Sequence, residues 1–253
     1  MLDNITIFSK QVSCYDLSID IGTVIGLLVY LCIALIKTKS VKRVVCSVIF
    51  ATVLLNLGAY LGNFIRGLSV GEVGGISEIF STGSGSHFIG RVLMVVIFLP
   101  VVYRYFLGKD KKEWVLYMDF MSFYLVVQHI FNRLGCLLNG CCEGKEYRGF
   151  LSFEYPIGIG FGPGYDYPMY PTQLFEIISM VILLGVCIYM FGKRRHIIVI
   201  FEIWFAVTIF VSEFMMLPDH TVYILGLNAI QYSAIVLLII AFVTKAKITK
   251  SGE

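Results

Sequence analysis

Seven stretches of nearly uninterrupted apolar sequence decide what this chain can become; they run at about 21–36, 44–66, 88–107, 114–135, 172–192, 197–217 and 222–244. A helix of about 20 apolar residues crosses the hydrocarbon core of a bilayer, which is roughly 30 Å thick. Every backbone N–H and C=O in that core needs an internal partner, which leaves helices or closed barrels. Unbroken apolar length points to helices, because barrel strands alternate apolar and polar residues. Composition removes the soluble alternative: 58% of residues are apolar, only 15% are charged, and the mean hydropathy is +0.83. Soluble domains carry about 25% charged residues. The expected fold is therefore all-α, a polytopic membrane protein of seven transmembrane helices.

Lysines and arginines set the expected orientation. Lys37, Lys39, Lys42 and Arg43, then Arg104, Lys109, Lys111 and Lys112, then Lys193, Arg194 and Arg195, and finally Lys245, Lys247 and Lys250 fall on one side, fourteen of the twenty basic residues. Only Lys10, Lys145 and Arg148 lie in the opposite segments, with Arg66, Arg91 and Arg133 at span ends on that side. The positive-inside rule then places the N-terminus out and the C-terminus in. The net charge of +3 is spread over these short clusters, so no nucleic-acid partner is expected. Residues 1–20 carry Asp3, Lys10, Asp16 and Asp20, and lack the basic start and apolar core of a signal peptide.

The outer connections are the long ones. Residues 67–87 are rich in Gly, and residues 139–171 add eight aromatic residues to their glycines and prolines. Connections this long are usually functional or disordered, and the aromatic content argues for folding at the lipid–water boundary. The expectation is a single integral membrane domain, residues 1–253, with an outward cap formed by 67–87 and 139–171.

Polar residues within the spans gather toward that outer side and repeat at helical spacing. Asn63 and Arg66 share a face of the second span, His87 and Arg91 of the third, and His129, Asn132 and Arg133 of the fourth. Gln173 and Glu176 open the fifth span, Glu213 closes the sixth, and Asn228 and Gln231 open the seventh. Asn56, Asp119 and Glu202 are the exceptions. Each residue alone reads as interfacial. The set reads as a site, because ionisable groups at membrane depth are costly and face partners or cavities. Three arginines at one depth point to an anion, and a guanidinium can hold a phosphate through two hydrogen bonds.

The stretch Asn132-Arg133-Leu134-Gly135-Cys136-Leu137-Leu138-Asn139-Gly140-Cys141-Cys142-Glu143-Gly144 concentrates these features. Arg133 through Gly140, with Gly144, is similar to the signature G-R-x-G-N-F-x-N-x-E-x-x-G of the prolipoprotein diacylglyceryl transferase family. Tyr170-Pro171-Thr172-Gln173-Leu174-Phe175-Glu176 resembles the family's H/Y-P-S/T-Q-L-Y-E. Gly58-Ala59-Tyr60-Leu61-Gly62 resembles its G-A-x-x-G, and Ser212-Glu213-Phe214 with Gly226 and Gln231 its E-F ahead of G-x-x-x-x-Q. The order is collinear over about residues 20–240.

The resemblance implies a seven-span bacterial plasma-membrane enzyme. It would move diacylglyceryl from phosphatidylglycerol to the lipobox cysteine thiol of a lipoprotein precursor, with glycerol phosphate leaving. Phosphatidylglycerol, the precursor's signal peptide and membrane lipids are the implied partners, and no cofactor or metal is implied. Arg133 is then assigned the phosphate, His87 the base, and Asn139, Gly140 and Gly144 the shape of the site. Gln173 and Glu213 belong to the substrate site, and Glu176 either orients an arginine or hydrogen-bonds the headgroup. The chain also departs from the pattern. Cys136 stands for the signature asparagine and Cys141 for its glutamate, which Glu143 could replace. Ile209 and Met216 stand where the family carries arginines, and Arg66 and Arg91 are the candidate replacements.

Of the seven cysteines, Cys32, Cys46 and Cys187 lie in apolar spans as small packing residues. Cys136, Cys141 and Cys142 cluster on the outer side. A turn of small residues is the simplest account; a disulfide (between two of them or to Cys14), zinc with His87 or His129, and a reactive thiol stay open, although the spacing matches no standard zinc site. Besides the transferase, the departures leave open a family member that binds lipid or peptide without catalysis, or that uses a different acceptor. A transporter is disfavoured, because its polar site would sit at the midplane.

Overall fold

The computed structural model describes residues 4–7, 10–38, 40–70, 88–107, 111–154, 167–193, 196–217 and 222–250. Two short antiparallel strands, β1 (Asn4–Ile7) and β2 (Lys10–Ser13), pair with Asn4 opposite Ser13. Seven long helices follow: α1 (Cys14–Thr38), α2 (Val41–Val70), α3 (Phe88–Val102), α4 (Lys111–Asn139), α5 (Thr172–Gly192), α6 (Ile197–Met215) and α7 (Ala229–Lys250). All seven are long and apolar enough to span a bilayer. Among the described residues, the N-terminal hairpin and the π-helical turn Tyr103–Leu107 at the end of the third span are regular elements outside the sequence expectation.

Helix α4 is the axis of the bundle. Over its apolar window 78% of residues are buried, against 22% for α1 and α5 and 28% for α7. The outer helices therefore give one face to the bundle and one to lipid. Val24, Leu28 and Ile36 of α1 and Ile239 and Phe242 of α7 form such outward apolar surface. Around α4 the core packs Phe120, Leu125 and Val126 against Phe201, Phe205, Leu183 and Leu237.

Two local features explain how the helices close up. Gly90 of α3 sits against Gly58 and Gly62 of α2. A Cβ on Gly90 would lie 2.5 Å from the Gly62 Cα, and one on Gly58 would lie 2.5 Å from the Arg91 Cα. The helices thus cross backbone to backbone, as small-residue motifs permit in lipid, where dispersion replaces the hydrophobic drive. Asp119, deep in α4, accepts a hydrogen bond from the Ile198 N–H at 2.8 Å. It serves one of the orphan donors at the start of α6, which explains this exception to the outer-side clustering of polar residues. Asn56 is exposed and bonds locally to the Thr52 carbonyl.

The last apolar stretch differs from its sequence reading. The spacing predicts a helix from about 222, but α7 begins at Ala229. Leu225 and Gly226 take positive φ values of 51° and 79°, and Ile224 pairs with Leu227. Asn228 then caps the helix. Its Oδ1 accepts from the Gln231 N–H at 2.8 Å, while Gln231 Oε1 accepts from the Asn228 N–H at 3.0 Å. This reciprocal pair is a capping box with Asn and Gln in place of Ser and Glu. Helix α1, conversely, starts earlier than the apolar run, with Asp16 in its first turn, where a negative charge suits the helix dipole.

The close crossing yields a direct test. Gly90→Ala places a methyl against the backbone of α2 and should destabilise the protein by about 1–3 kcal/mol, the usual cost of overpacking. A thermal melt in detergent should show a clear drop in Tm; an unchanged Tm would rule out the close crossing.

Candidate functional site

The site begins with spacing on α4. His129 and Arg133 are four residues apart and project together. Both meet Glu176 of α5: His129 Nε2 and Arg133 Nε lie 2.8 Å and 2.6 Å from the same carboxylate oxygen, Oε2. All three side chains are buried, with Glu176 fully so. The His129 ring lies between Phe88 and Phe205, 5.0 Å from each ring centre. An ion pair removed from water is held together only by tight geometry, so this carboxylate fixes both neighbours in place.

Beside this triad lies a cavity of about 250 Å³. Tyr15, Arg66, His129, Asn132, Arg133 and Asn139 supply much of its polar wall, with Cys136, Cys141, Cys142 and Glu213; Phe88, Ile89, Ile209 and Ile230 supply apolar wall. These residues come from the start of α1, the end of α2, the start of α3, the end of α4, the end of α6 and the start of α7, together with the turn after α4. All belong to one end of the bundle, opposite the basic loops.

The turn after α4 explains the signature stretch. Gly140 has φ 66°, and the Cys141 N–H reaches back to the Cys136 carbonyl at 3.1 Å. This is a Schellman ending, which needs a residue that tolerates the left-handed region after the last helical residue. Cys142 also has positive φ, at 63°, which is strained for a residue with a Cβ. The strain is held from α5: Thr172 Oγ1 donates to the Cys142 carbonyl at 2.8 Å and Gln173 Nε2 to the Cys141 carbonyl at 2.7 Å. The turn then pairs with the end of α6, Lys145 N–H to Met215 O and Leu217 N–H to Glu143 O. Further on, Tyr147 stacks on Tyr170 at 4.0 Å.

The sequence-assigned residues separate into three groups. Arg133, Arg66, Asn139 and Glu213 line the cavity. Glu176, Gln173, Gly140 and Gly144 lie outside its lining and build it: Glu176 orients Arg133 and His129, Gln173 clamps the cysteine turn, and Gly144 packs on the Tyr170 carbonyl. Arg91 is half-buried beside the α2–α3 crossing and is not among the lining residues. His87, with residues 71–87 and 155–166 of the two expected cap segments, lies outside the described residues. Of the family's two arginine positions, Ile209 is apolar wall, and Met216 forms a backbone bridge to Gly144.

Tyr15 and His129 were not assigned from sequence, yet both line the cavity. Tyr15 heads the first helix, and its burial against Gly135 carried no sequence signal. His129 had one, its four-residue spacing from Arg133. Glu213 is held by Asn228 Nδ2 at 2.7 Å. None of the seven cysteines is in a disulfide. The Cys141 thiol donates to the Cys136 carbonyl at 3.8 Å, and the neighbouring Cys136 and Cys142 thiols hold its pKa below the ordinary value.

A helical membrane protein with a buried, arginine-containing cavity at one end of its bundle is the class these features define. The sequence profile of the prolipoprotein diacylglyceryl transferases matches residues 4–246, and the chain belongs to that family. It is a multi-pass protein of the prokaryotic plasma membrane. Relatives named phosphatidylglycerol–prolipoprotein diacylglyceryl transferase include one from Nitratidesulfovibrio vulgaris, 26% identical over 152 residues, 58% of this chain and 54% of that protein. One from Helicobacter pylori is 27% identical over 165 residues, 63% of this chain and 57% of that protein. A second such transferase of Clostridium perfringens is 35% identical over 65 residues, 26% of this chain and 24% of that protein. The first two matches span just over half the length of those relatives.

Glu176→Gln keeps the shape of the triad but removes the charge that balances Arg133. Breaking a buried pair in this way costs about 3–5 kcal/mol. Thermal unfolding in detergent should register a large loss of stability; a wild-type melting curve would mean that the carboxylate does not hold the site together.

Proposed function

We propose that the protein transfers diacylglyceryl from phosphatidylglycerol to a cysteine thiol in the lipobox of a lipoprotein precursor. The observation that carries this reading is Arg133, buried in the cavity wall with its Nε committed to Glu176. A guanidinium has five N–H donors, so four remain on the terminal nitrogens for a phosphate. Glu176 sets the direction of that fork before substrate arrives, which lowers the cost of ordering it on binding. Arg66, which also lines the cavity, adds a second positive charge.

The reaction forms a C–S bond to the glyceryl carbon and breaks its C–O bond to phosphate. Charge grows on the leaving phosphate, where Arg133 is placed to stabilise it. The acceptor must reach the cavity as thiolate or lose its proton there, since the thiolate is the nucleophile. His129 binds Glu176 through Nε2, and Nδ1 has no hydrogen-bond partner among the described residues. With Nε2 donating to the carboxylate, Nδ1 carries the lone pair and serves as the base, in the manner of other carboxylate-oriented histidines. His87 is the second candidate for that role. Glu213, fixed by Asn228, also lines the cavity and is suited to bind the hydroxyls of the glycerol headgroup.

The apolar walls suit the lipid end of the substrate. The basic loops at the opposite end of the bundle support a cavity at the outer leaflet, with the N-terminus outside and the C-terminus inside. The connections 67–87 and 139–171 then form the outward cap of a single membrane domain. Ile209, apolar where the family carries arginine, supports a second reading: a member that binds phosphatidylglycerol or peptide without turnover.

Purified protein mixed with phosphatidylglycerol and a lipobox peptide separates the two readings. The transferase reading predicts a diacylglyceryl mass increment on the peptide. Arg133→Lys, which keeps the charge but loses the fork, should slow the reaction about 10²–10³-fold, the usual cost of removing a donor to developing charge. No adduct from folded protein that still carries phosphatidylglycerol would support the binding reading. An adduct formed equally fast by the variant would remove Arg133 from the chemistry.

A further inference from the structure

Cys136, Cys141 and Cys142 have no part in the mechanism above, yet all three line the same cavity as Arg133. Their sulfur atoms lie within 4.8 Å of one another, and Cys142 Sγ is 3.9 Å from Cys136 Sγ. In tetrahedral zinc sites the Zn–S distance is about 2.3 Å, which sets neighbouring sulfurs about 3.8 Å apart. The cluster therefore needs to contract by about 1 Å at most to meet that geometry.

The sulfurs are brought together by the fold rather than by sequence spacing. Cys136 sits on the last turn of α4, and the Schellman ending folds Cys141 back over it. Thr172 and Gln173 pin the carbonyls of Cys142 and Cys141 from α5. Among the described residues no fourth His, Cys, Asp or Glu joins the group. His129, whose Nε2 meets Glu176, lines the same cavity but does not join the sulfur cluster. Three protein ligands with the fourth position open to a cavity is the arrangement of reactive zinc sites; structural sites close all four.

We infer that Cys136, Cys141 and Cys142 form a three-thiolate zinc site whose open position receives the acceptor's cysteine thiol. The identity of that acceptor rests on the transferase reading; the metal site does not. A coordinated thiol gives up its proton at neutral pH, and the bound sulfur remains the nucleophile. Its lone pair attacks the glyceryl carbon, the C–S bond forms, and the C–O bond breaks with its electron pair going to the phosphate oxygen. The proton released on coordination ends on the glycerol phosphate. Zinc stays divalent throughout, and the neutral thioether, a far weaker ligand, leaves. Arg133 lines the same cavity, placed to receive the phosphate, so one cavity holds both nucleophile and leaving group.

Metal content and spectroscopy test this on the full chain in detergent. After reduction and removal of metal, added zinc should bind at one ion per chain by elemental analysis, and the Cys136→Ser/Cys141→Ser/Cys142→Ser variant should lose it. Because that variant could misfold, the wild-type protein is also loaded with cobalt(II). The expected signature is a thiolate-to-metal charge-transfer band with tetrahedral ligand-field bands. The latter should shift when a lipobox peptide with free cysteine is added, and not with the serine peptide. No zinc bound, cobalt without thiolate bands, a Cys136–Cys142 disulfide in freshly purified protein, or a spectrum indifferent to the acceptor thiol would each overturn the proposal.

Turnover separates this inference from the transferase reading. A free thiol with pKa about 8.5 is only about 3% thiolate at pH 7, so stripping zinc, which leaves deprotonation to His129, should slow transfer by up to about 30-fold, restored by zinc. Full activity in zinc-free protein would overturn the metal site and leave the transferase standing. Stoichiometric zinc that responds to the thiol, with no transfer, would do the reverse.

Discussion

The site depends on one carboxylate. Glu176 is fully buried in a bundle surrounded by lipid-facing surface, and a single one of its oxygens meets both His129 and Arg133. In a low-dielectric interior none of these groups is stable alone as a charge. Together they form a compact unit that joins α4 to α5 and fixes a guanidinium at the cavity wall. The arrangement asks α4 to be central, and it is the most buried of the seven helices. It also asks α5 to start beside the end of α4, which residues 143–153 arrange by pairing with the end of α6 and with residues 168–170.

The same region solves a second problem, how to end a membrane helix with its carbonyls satisfied. Unpaired backbone groups at that depth cost several kcal/mol each. Gly140 allows the Schellman ending, and the Thr172 and Gln173 side chains take the carbonyls beyond it. The consequence is chemical as well as structural. A turn held this firmly keeps Cys142 in a strained conformation and brings three sulfurs to one corner of the cavity. Motif residues that look like substrate ligands in the sequence are here the supports of the turn that carries the cysteines.

Much of this was legible in the sequence, for physical reasons. Apolar length near twenty residues specifies a span almost by itself, so the seven helices were readable. Pairs such as His129 and Arg133 showed a polar face, because helical spacing is local information. The pairing of Arg133 with Glu176, 43 residues apart, is not local and came only with the packing. Tyr15 was hidden for the same reason, since nothing in its neighbourhood announces that α1 delivers it to the cavity. The start of α7 was misplaced because Val222 to Leu227 is as apolar as a span. The Asn228–Gln231 capping box, three residues apart, was the available signal that the helix begins later. The cysteines were ambiguous because a thiol cluster built on a Schellman turn has no fixed sequence spacing.

The central claim is that the phosphate of the lipid sits at Arg133 in the cavity shared with His129 and the cysteine turn. A phosphatidylglycerol analogue with a photoreactive group on its headgroup glycerol measures this most directly. Protein in nanodiscs containing the analogue would be irradiated, digested and mapped by mass spectrometry. The account predicts cross-links within residues 129–142 and near Tyr15 and Glu213, competed by unlabelled phosphatidylglycerol. Cross-links confined to the lipid-facing residues of α1, α5 and α7, unaffected by competitor, would contradict it.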